Sequence, residues 1–203
     1  MTHTTAGPAN VDPADPDPGP LAGGDLTAAR RRRARSLIEW VVVLVGALLV
    51  SLAIRGFVLQ SFYIPSESMV PTLEIDDRVI VNKLSSSIDE LERSDIVVFE
   101  RPAGVAGEIE DLIKRVIAFP GETVEGHDGQ VWIDGAALDE PWLRDGVVTS
   151  DFPPTQVPDG ALWVMGDNRA NSSDSRVFGP IDAALVVGQA VVRVWPLDRA
   201  GGL

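Results

Sequence analysis

The sequence predicts a mainly β protein, with antiparallel twisted sheets or a partly closed barrel, preceded by one N-terminal transmembrane helix. Three observations carry this. Short β-branched runs recur after residue 60, turn dipeptides separate them, and a single long apolar run stands upstream. In a chain of 203 residues, 45% hydrophobic and 23% charged, there is material for one packed domain plus an attachment.

The elements follow in order. Residues 1–36 read as a disordered tail: the first 25 hold five prolines, four glycines and four aspartates, with little apolar material to bury. The tail closes on Arg30–Arg33 and Arg35. Residues 37–59, LIEWVVVLVGALLVSLAIRGFVL, carry charge only at Glu39 and Arg55. At about 1.5 Å per residue this run gives roughly 34 Å of helix, enough for a hydrocarbon core of about 30 Å. Trp40–Val50 shows no polar face, as a soluble core helix would. The five arginines upstream, against Arg55 alone at the other end, predict a cytoplasmic N-terminus and an extracytoplasmic remainder of the plasma membrane protein. A cleaved signal peptide fits less well, because the run is long for one and no Ala-x-Ala-like site precedes the folded part. Ala183–Val194, the next apolar stretch, is broken by Gly188, Gln189 and Arg193, so a single pass is expected.

Residues 60–203 form the predicted β domain. Its strands are Asp77–Lys83, Asp95–Glu100, Leu112–Ala118, Gln130–Ile133, Ala161–Met165 and Leu185–Trp195. Turn signals fall at Pro120-Gly121, Asp128-Gly129, Asp134-Gly135 and Asp159-Gly160. Helical periodicity is weak, with Ser87–Arg93 and Pro180–Ala184 as candidates. Residues 125–160, rich in Gly, Pro and Asp, read as a small hairpin insertion bearing on structure alone. The domain carries 11 basic and 25 acidic groups, a net charge of −14, so attachment to anionic lipid rests on the helix and on apolar surface around Phe57, Phe62 and Tyr63.

Composition excludes several chemistries. There is no cysteine, hence no disulfide framework, thiolate metal site or cysteine nucleophile. The two histidines are His3, in the tail, and His127, in a Gly-His-Asp-Gly turn, so histidine-assisted catalysis and a histidine-rich metal centre are not expected. A net charge of −13 is a poor surface for nucleic acid. Of the 17 basic residues 15 are arginine, leaving Lys83 and Lys114 as the lysines. Lysine, unlike arginine, loses its proton when buried, which makes each a candidate base; Lys83 also reads as an exposed cation at a strand end.

Three stretches carry chemistry. In Ile64-Pro65-Ser66-Glu67-Ser68-Met69-Val70-Pro71-Thr72-Leu73 the prolines predict an extended segment, on which Ser66 and Ser68 point to one side. One hydroxyl can attack a carbonyl while the other donates to the oxyanion; a plain polar loop is the alternative. In Asp111-Leu112-Ile113-Lys114-Arg115-Val116-Ile117-Ala118-Phe119-Pro120-Gly121, Lys114 lies in an apolar strand where desolvation lowers its pKa. In Met165-Gly166-Asp167-Asn168-Arg169-Ala170-Asn171-Ser172-Ser173-Asp174-Ser175-Arg176, acids, amides and arginines alternate as in a satisfied polar loop, with Asp174 pairing Arg176. The calcium-loop pattern fails there. If a serine is activated, lysine must do it.

The segments IPSESMVPTL, IKRVIAFPG and MGDNRANSSDSR, in that order behind one N-terminal span, resemble the bacterial type I signal peptidases, membrane-bound serine proteases that remove signal peptides from exported preproteins. The resemblance covers residues 37–124 and 161–196. It implies Ser68 as nucleophile, Lys114 as general base, and Ser66 with the Ser68 backbone N–H as oxyanion hole. It further implies that Ser172 holds the Lys114 amine, and that Asp174 and Arg176 brace the site. The signal peptide would add as a strand beside Phe62–Ser68, its small side chains in shallow pockets of Phe62, Ile64, Met69, Leu73, Val79 and Ile113, which favours Ala-x-Ala. The resemblance implies no metal or cofactor and monomeric action. Three positions depart from the family pattern: Asp76 and Ser94 stand where glycine is usual, and Ala170 where an acid is. Two readings of another class compete: an inactive peptide-binding module, against which intact Ser68 and Lys114 argue, and a self-cleaving regulator, against which the span argues. A penicillin-binding enzyme is disfavoured by the absence of S-x-x-K.

Overall fold

The computed structural model describes residues 38–52 and 58–203. Residues 38–52 are helical (α1). Residues 1–36, and residues 37 and 53–57 of the predicted span, lie outside the described residues. Among the described residues no helix is long and apolar enough to cross a membrane. Leu59, placed by the sequence at the end of the span, instead begins the first strand.

Twelve strands follow: β1 (Leu59–Tyr63), β2 (Arg78–Asn82), β3 (Ile96–Glu100), β4 (Asp111–Ala118), β5 (Thr123–His127), β6 (Gln130–Ile133), β7 (Ala136–Ala137), β8 (Phe152–Gln156), β9 (Ala161–Met165), β10 (Ile181–Asp182), β11 (Val186–Trp195) and β12 (Gly201–Gly202), with a short helix α2 (Ser175–Phe178) between β9 and β10. All ladders are antiparallel. The large sheet runs β1-β2-β11-β3-β4-β9-β10, with β12 added to β11, and the small one β7-β6-β5-β8. β11 is long enough to pair with β2, β3 and β12 because bulges bend it at Val186/Gly188, Ala190/Val192 and Arg193/Trp195.

All six sequence-predicted strands form, each within about a residue of its expected limits. Others escaped prediction for identifiable reasons. β1 is exposed at all but one position, so it shows no alternation and its leucine reads as the end of the upstream run. β8 contains Pro153 and Pro154, tolerated because it is an edge strand of the small sheet. β5 contains Gly126, where a Cβ would collide with the Phe152 ring. Residues 125–160 are therefore more than a hairpin: they supply most of a four-stranded sheet with apolar residues of its own. Of the two helix candidates, Ser87–Arg93 yields one 3-10 turn (Ile88–Glu90), and Pro180–Ala184 splits into β10 and the start of another (Ala183–Leu185).

The core has three parts. Ile64, Met69, Leu73, Val79, Val81, Ile96, Val98 and Ile113 pack under β1 and β2. Val97, Phe99, Val116, Leu162, Val164 and Ile181 pack on the opposite face of the sheet centre. Ile117, Val124, Val131, Val157, Trp163 and Met165 join the two sheets. β4 lies at the junction. Its residues from Ile113 to Ala118 are all buried, and the two-residue period sends Lys114 and Arg115 to opposite faces.

Candidate active site

The serine loop leaves β1 at Tyr63 and is tied at its base by two backbone bonds, Ile64 N–H to Asp77 O (2.9 Å) and Asp76 N–H to Ile64 O (3.0 Å). The extended conformation expected for Pro65–Pro71 does not persist. Val70 N–H donates to Glu67 O (3.1 Å) and Leu73 N–H to Met69 O (2.9 Å), so the chain turns. The reason is apolar: Met69 and Leu73 are both fully buried, and a helical turn puts residues four apart on one side. Ser66 and Ser68 still share a side, their Oγ atoms 3.5 Å apart. Ser68 is buried.

Lys114 reaches the same point from β4. Its Nζ donates to Ser68 Oγ (2.8 Å) and to Ile113 O (2.8 Å), and the residue is 3% exposed. Burial is the largest influence on its pKa and, with the nearby Arg101 charge, outweighs Asp174 and Asp167, lowering it to about 8. Lys83, just past β2, is half-buried and makes no comparable contact with a serine.

The third stretch covers the pair. Asn168 N–H donates to Ser68 O (3.0 Å) and its Nδ2 to Glu67 O (3.1 Å), stitching the two loops together. Gly166 is required by close approach, since a Cβ there would collide with Ser68 O and Ser172 Oγ. Asp174 caps α2, accepts from Gly166 N–H (3.0 Å), and is paired by Arg176 through Nε (2.9 Å) and Nη2 (2.8 Å). Burial pushes its carboxyl up, but the Arg176 bonds and charge and the Gly166 N–H prevail and hold it below the ordinary carboxylate value. Arg176 Nη1 also donates to Arg169 O (2.7 Å).

Sequence reasoning missed two buried ion pairs here. Asp167 takes both Nε (2.8 Å) and Nη2 (2.6 Å) of Arg115 and accepts from Thr72 Oγ1 (2.5 Å). Arg169 donates to Gly166 O (3.1 Å), Thr149 Oγ1 (2.8 Å) and both carboxylate oxygens of Glu140. Their one sequence signal was arginine in otherwise buried runs, which implies a partner without naming it. The hydrogen bond expected between Ser172 and the Lys114 amine is not made. The amine is turned to Ser68 and Ile113, while Ser172 Oγ is buried against Gly166 and faces the Asp174 carboxylate, helping to hold its pKa down.

Ser66, Ser68, Leu112, Lys114, Ile109 and Asn171 are among the residues lining an open groove of about 490 Å³. The six residues expected to form substrate pockets are brought together, but as the first part of the core: Ile64, Met69, Leu73, Val79 and Ile113 are 0–6% exposed, with Phe62 packed on them. They lie beneath the serine loop rather than along the groove wall, because the turn at Glu67–Leu73 buries them. The two glycine departures occupy backbone that favours glycine, at φ +72° for Asp76 and +81° for Ser94. Ser94 nonetheless supplies the carbonyl that accepts from Arg115 Nη1 (2.7 Å). Among the described residues no group of three or more His, Cys, Asp or Glu side chains is placed to hold a metal ion.

A buried lysine amine 2.8 Å from a serine hydroxyl, in a mainly β fold, is an arrangement that can serve a serine hydrolase. The sequence matches the family described as signal peptidase, peptidase S26, over residues 37–195. It is 39% identical over 191 residues to signal peptidase I of Leptolyngbya laminosa, covering 92% of this chain and 94% of that protein. It is 38% identical over 187 residues to signal peptidase I of Bacillus caldolyticus, covering 86% and 97%. A crystal structure of a signal peptidase I from Enterococcus faecalis V583 matches with a TM-score of 0.43 and 34% identity, over 49% of this chain and 95% of that one. The chain belongs to the signal peptidase, peptidase S26, family, and is a serine endopeptidase.

Proposed function

We propose that this chain removes signal peptides from exported preproteins, with Ser68 as nucleophile and Lys114 as general base. The observation that carries the reading is the 2.8 Å contact between Lys114 Nζ and Ser68 Oγ, in surroundings that leave Lys114 3% exposed. With its pKa lowered to about 8, a substantial fraction of the amine is neutral near physiological pH. Along the same line the neutral amine accepts the Ser68 O–H proton as Oγ attacks the scissile carbonyl. The ammonium then returns that proton to the leaving amine of the mature protein. Water, deprotonated by the same lysine, releases the acyl group. The Ser66 hydroxyl, 3.5 Å from Ser68 Oγ, and the Ser68 backbone N–H are the donors to the oxyanion.

Substrate docking follows from strand pairing. β9 partners β4 from Arg115 onward, whereas Asp111–Lys114 pair with β3 on their other side. The signal peptide end adds there as a strand, opposite the Phe62–Ser68 segment. Phe62, Ile64, Met69, Leu73, Val79 and Ile113, packed beneath the serine loop and off the groove wall, form an apolar floor under the site. A floor packed this tightly has room for small side chains only, and alternate residues of a strand point to it together, which gives Ala-x-Ala. Ser172, Asp174 and Arg176 hold the loop over Lys114. The apolar run upstream of β1 anchors the enzyme in the plasma membrane as a monomer, with the arginine cluster on the cytoplasmic side and the β domain outside.

The test is cleavage of a purified preprotein bearing an Ala-x-Ala site by the full chain, compared with Ser68→Ala and Lys114→Ala. Cleavage at the expected bond by the wild type alone is the predicted result. Normal cleavage by Lys114→Ala would refute the lysine mechanism, and no cleavage by correctly folded wild type would refute the function.

A further inference from the structure

The segment between β7 and β8 reaches the catalytic loops at Thr149 and Ser150, which accept from Arg169 Nη1 (2.8 Å) and Arg176 Nη1 (3.4 Å), and at the turn Glu140–Leu143, closed by Leu143 N–H to Glu140 O (3.0 Å). Two side chains of this turn touch the two buried arginines beside the active site. The Glu140 carboxylate takes both terminal nitrogens of Arg169, whose side chain is fully buried while that of Glu140 is 10% exposed. The Trp142 ring lies under Arg115, its centroid 4.9 Å from the guanidinium carbon.

Each arginine leads directly to a catalytic group. Arg169 Nε donates to Gly166 O (3.1 Å), and Gly166 packs against Ser68 O and Ser172 Oγ while its N–H holds Asp174. Arg115 follows Lys114 in β4 and fixes Asp167 with two bonds. The third part of the core supplies apolar contacts with β4 and β9, and Trp142 packs against it too, so its ring serves both that core and Arg115, whereas Glu140 has no apolar role. A carboxylate delivered into a buried site to neutralise one arginine, and a ring laid under the other, are charge-specific contacts costly to desolvate.

We propose that the Glu140–Leu143 turn is a positioning element for catalysis: Glu140 sets Arg169, and Trp142 sets Arg115, so that the loop 166–174 stays closed over Ser68 and Lys114. The inference rests on the functional reading above and deepens it by giving residues 125–160 a part in the reaction. Glu140 and Trp142 touch neither substrate nor the reacting atoms and act through the two arginines.

The pH dependence makes the role measurable. The groups facing Lys114 are Ser68 on the serine loop, Asp167 and Asp174 on the loop after β9, and Arg101 at the end of β3. Burial is the largest influence on the amine. A loop released by loss of Glu140 admits water, and the amine moves back toward its ordinary, higher value.

The experiment uses the full chain in detergent micelles, with Glu140→Gln, Trp142→Leu, Trp142→Phe and the double variant Glu140→Gln/Arg169→Gln. Readouts are kcat and KM on the preprotein, the pH profile of kcat/KM, the Lys114 titration followed by NMR of its ε carbon, and the melting temperature. Glu140→Gln and Trp142→Leu are expected to lower kcat about tenfold, leave KM within about twofold and move the rise of kcat/KM to higher pH. Trp142→Phe, which keeps a ring under Arg115, is expected to stay near wild type. The double variant removes both buried charges and is expected to regain melting temperature but not kcat. The proposal is overturned if Glu140→Gln and Trp142→Leu melt lower yet keep wild-type kcat and pH profile, or if the double variant recovers rate along with stability. Should the wild type fail to cleave, the functional reading fails, and the Lys114 titration still decides the positioning claim: an unchanged value in Glu140→Gln overturns it.

Discussion

Two loops meet at Ser68 and place their apolar packing and their ion pairs differently. The serine loop, Ile64–Asp77, is fixed around Ser68 by burial of Met69 and Leu73, and at its base by backbone bonds and by the ion pairs of Glu74 and Asp77 with Arg193 and Arg199. The covering loop, Gly166–Arg176, is fixed by three buried ion pairs, Arg115–Asp167, Arg169–Glu140 and Arg176–Asp174. Apolar packing is non-directional, and it is what holds the stretch carrying Ser68, the proposed nucleophile, while the loop's ion pairs stand at its base. The proposed base, Lys114, needs more, because its protonation depends on burial first and then on the charges of Asp174, Asp167 and Arg101 around it. The carboxylates that act on Lys114, Asp167 and Asp174, thus come from the covering loop, while the ion pairs of the serine loop stand away at its base.

The most severe way to break this arrangement is at the contact itself. Ser68→Ala and Lys114→Met are each expected to reduce kcat/KM by a factor on the order of 10⁴ or more, measured by preprotein cleavage. Lys114→Met is also expected to raise stability by on the order of 1–3 kcal/mol in urea unfolding, since it removes a desolvated amine. The sign follows from the lowered pKa: between about 8 and the ordinary value of 10.5 the unfolded chain holds a proton that the folded one has lost. Stability of the wild type therefore rises with pH across that window, and Lys114→Met loses that slope. In the wild type, kcat/KM should climb about tenfold per pH unit below the Lys114 midpoint and level above it, as only the neutral amine is a base.

The next test separates the loops. Asp167→Asn leaves Arg115 without its counter-charge and is expected to cost about 3–5 kcal/mol by chemical unfolding. Because the Asp167 charge raises the Lys114 pKa, its loss is expected to move the kcat/KM midpoint to lower pH. Leu73→Ala, in the serine loop, is expected to cost about 2–5 kcal/mol through a cavity, with the midpoint unmoved. A midpoint shift in Leu73→Ala equal to that in Asp167→Asn would erase the distinction between the loops. The smallest effect is expected at Ser94, where φ is +81°: Ser94→Gly relieves left-handed backbone and should stabilise by about 0.5–1 kcal/mol in the same assay, less the entropy glycine returns to the unfolded chain.

Much of this was legible in the sequence. Six strands could be read from β-branched runs, five of them in the large sheet, whose buried strands carry few polar interruptions, and one, β6, in the small sheet. Lys114 could be read as a candidate base because a lysine in IKRVIA has no exposed face to occupy. β1 could not be read, because an exposed edge strand has no alternation to detect. The turn at Glu67–Leu73 was hidden by prolines that favour extended backbone locally, a preference that burying Met69 and Leu73 overrides. The departures at Asp76 and Ser94 were legible as departures, and the positive φ at both shows what they oppose.

By itself the sequence determined the chemistry at hand: no thiol, no histidine beyond the tail and one turn, two lysines, and a serine pair between prolines. That follows from side-chain inventory, which folding does not change. Only the tertiary structure decided which groups meet. The partners of Ser68, Arg115 and Arg169 are Lys114, Asp167 and Glu140, which stand 46, 52 and 29 positions away along the chain. The large sheet and the turn from the small sheet bring them within hydrogen-bonding distance. A charge or hydroxyl in a sequence states a need for a partner, and the choice among distant partners is made by packing, where burial strengthens each contact and sets the protonation of the base.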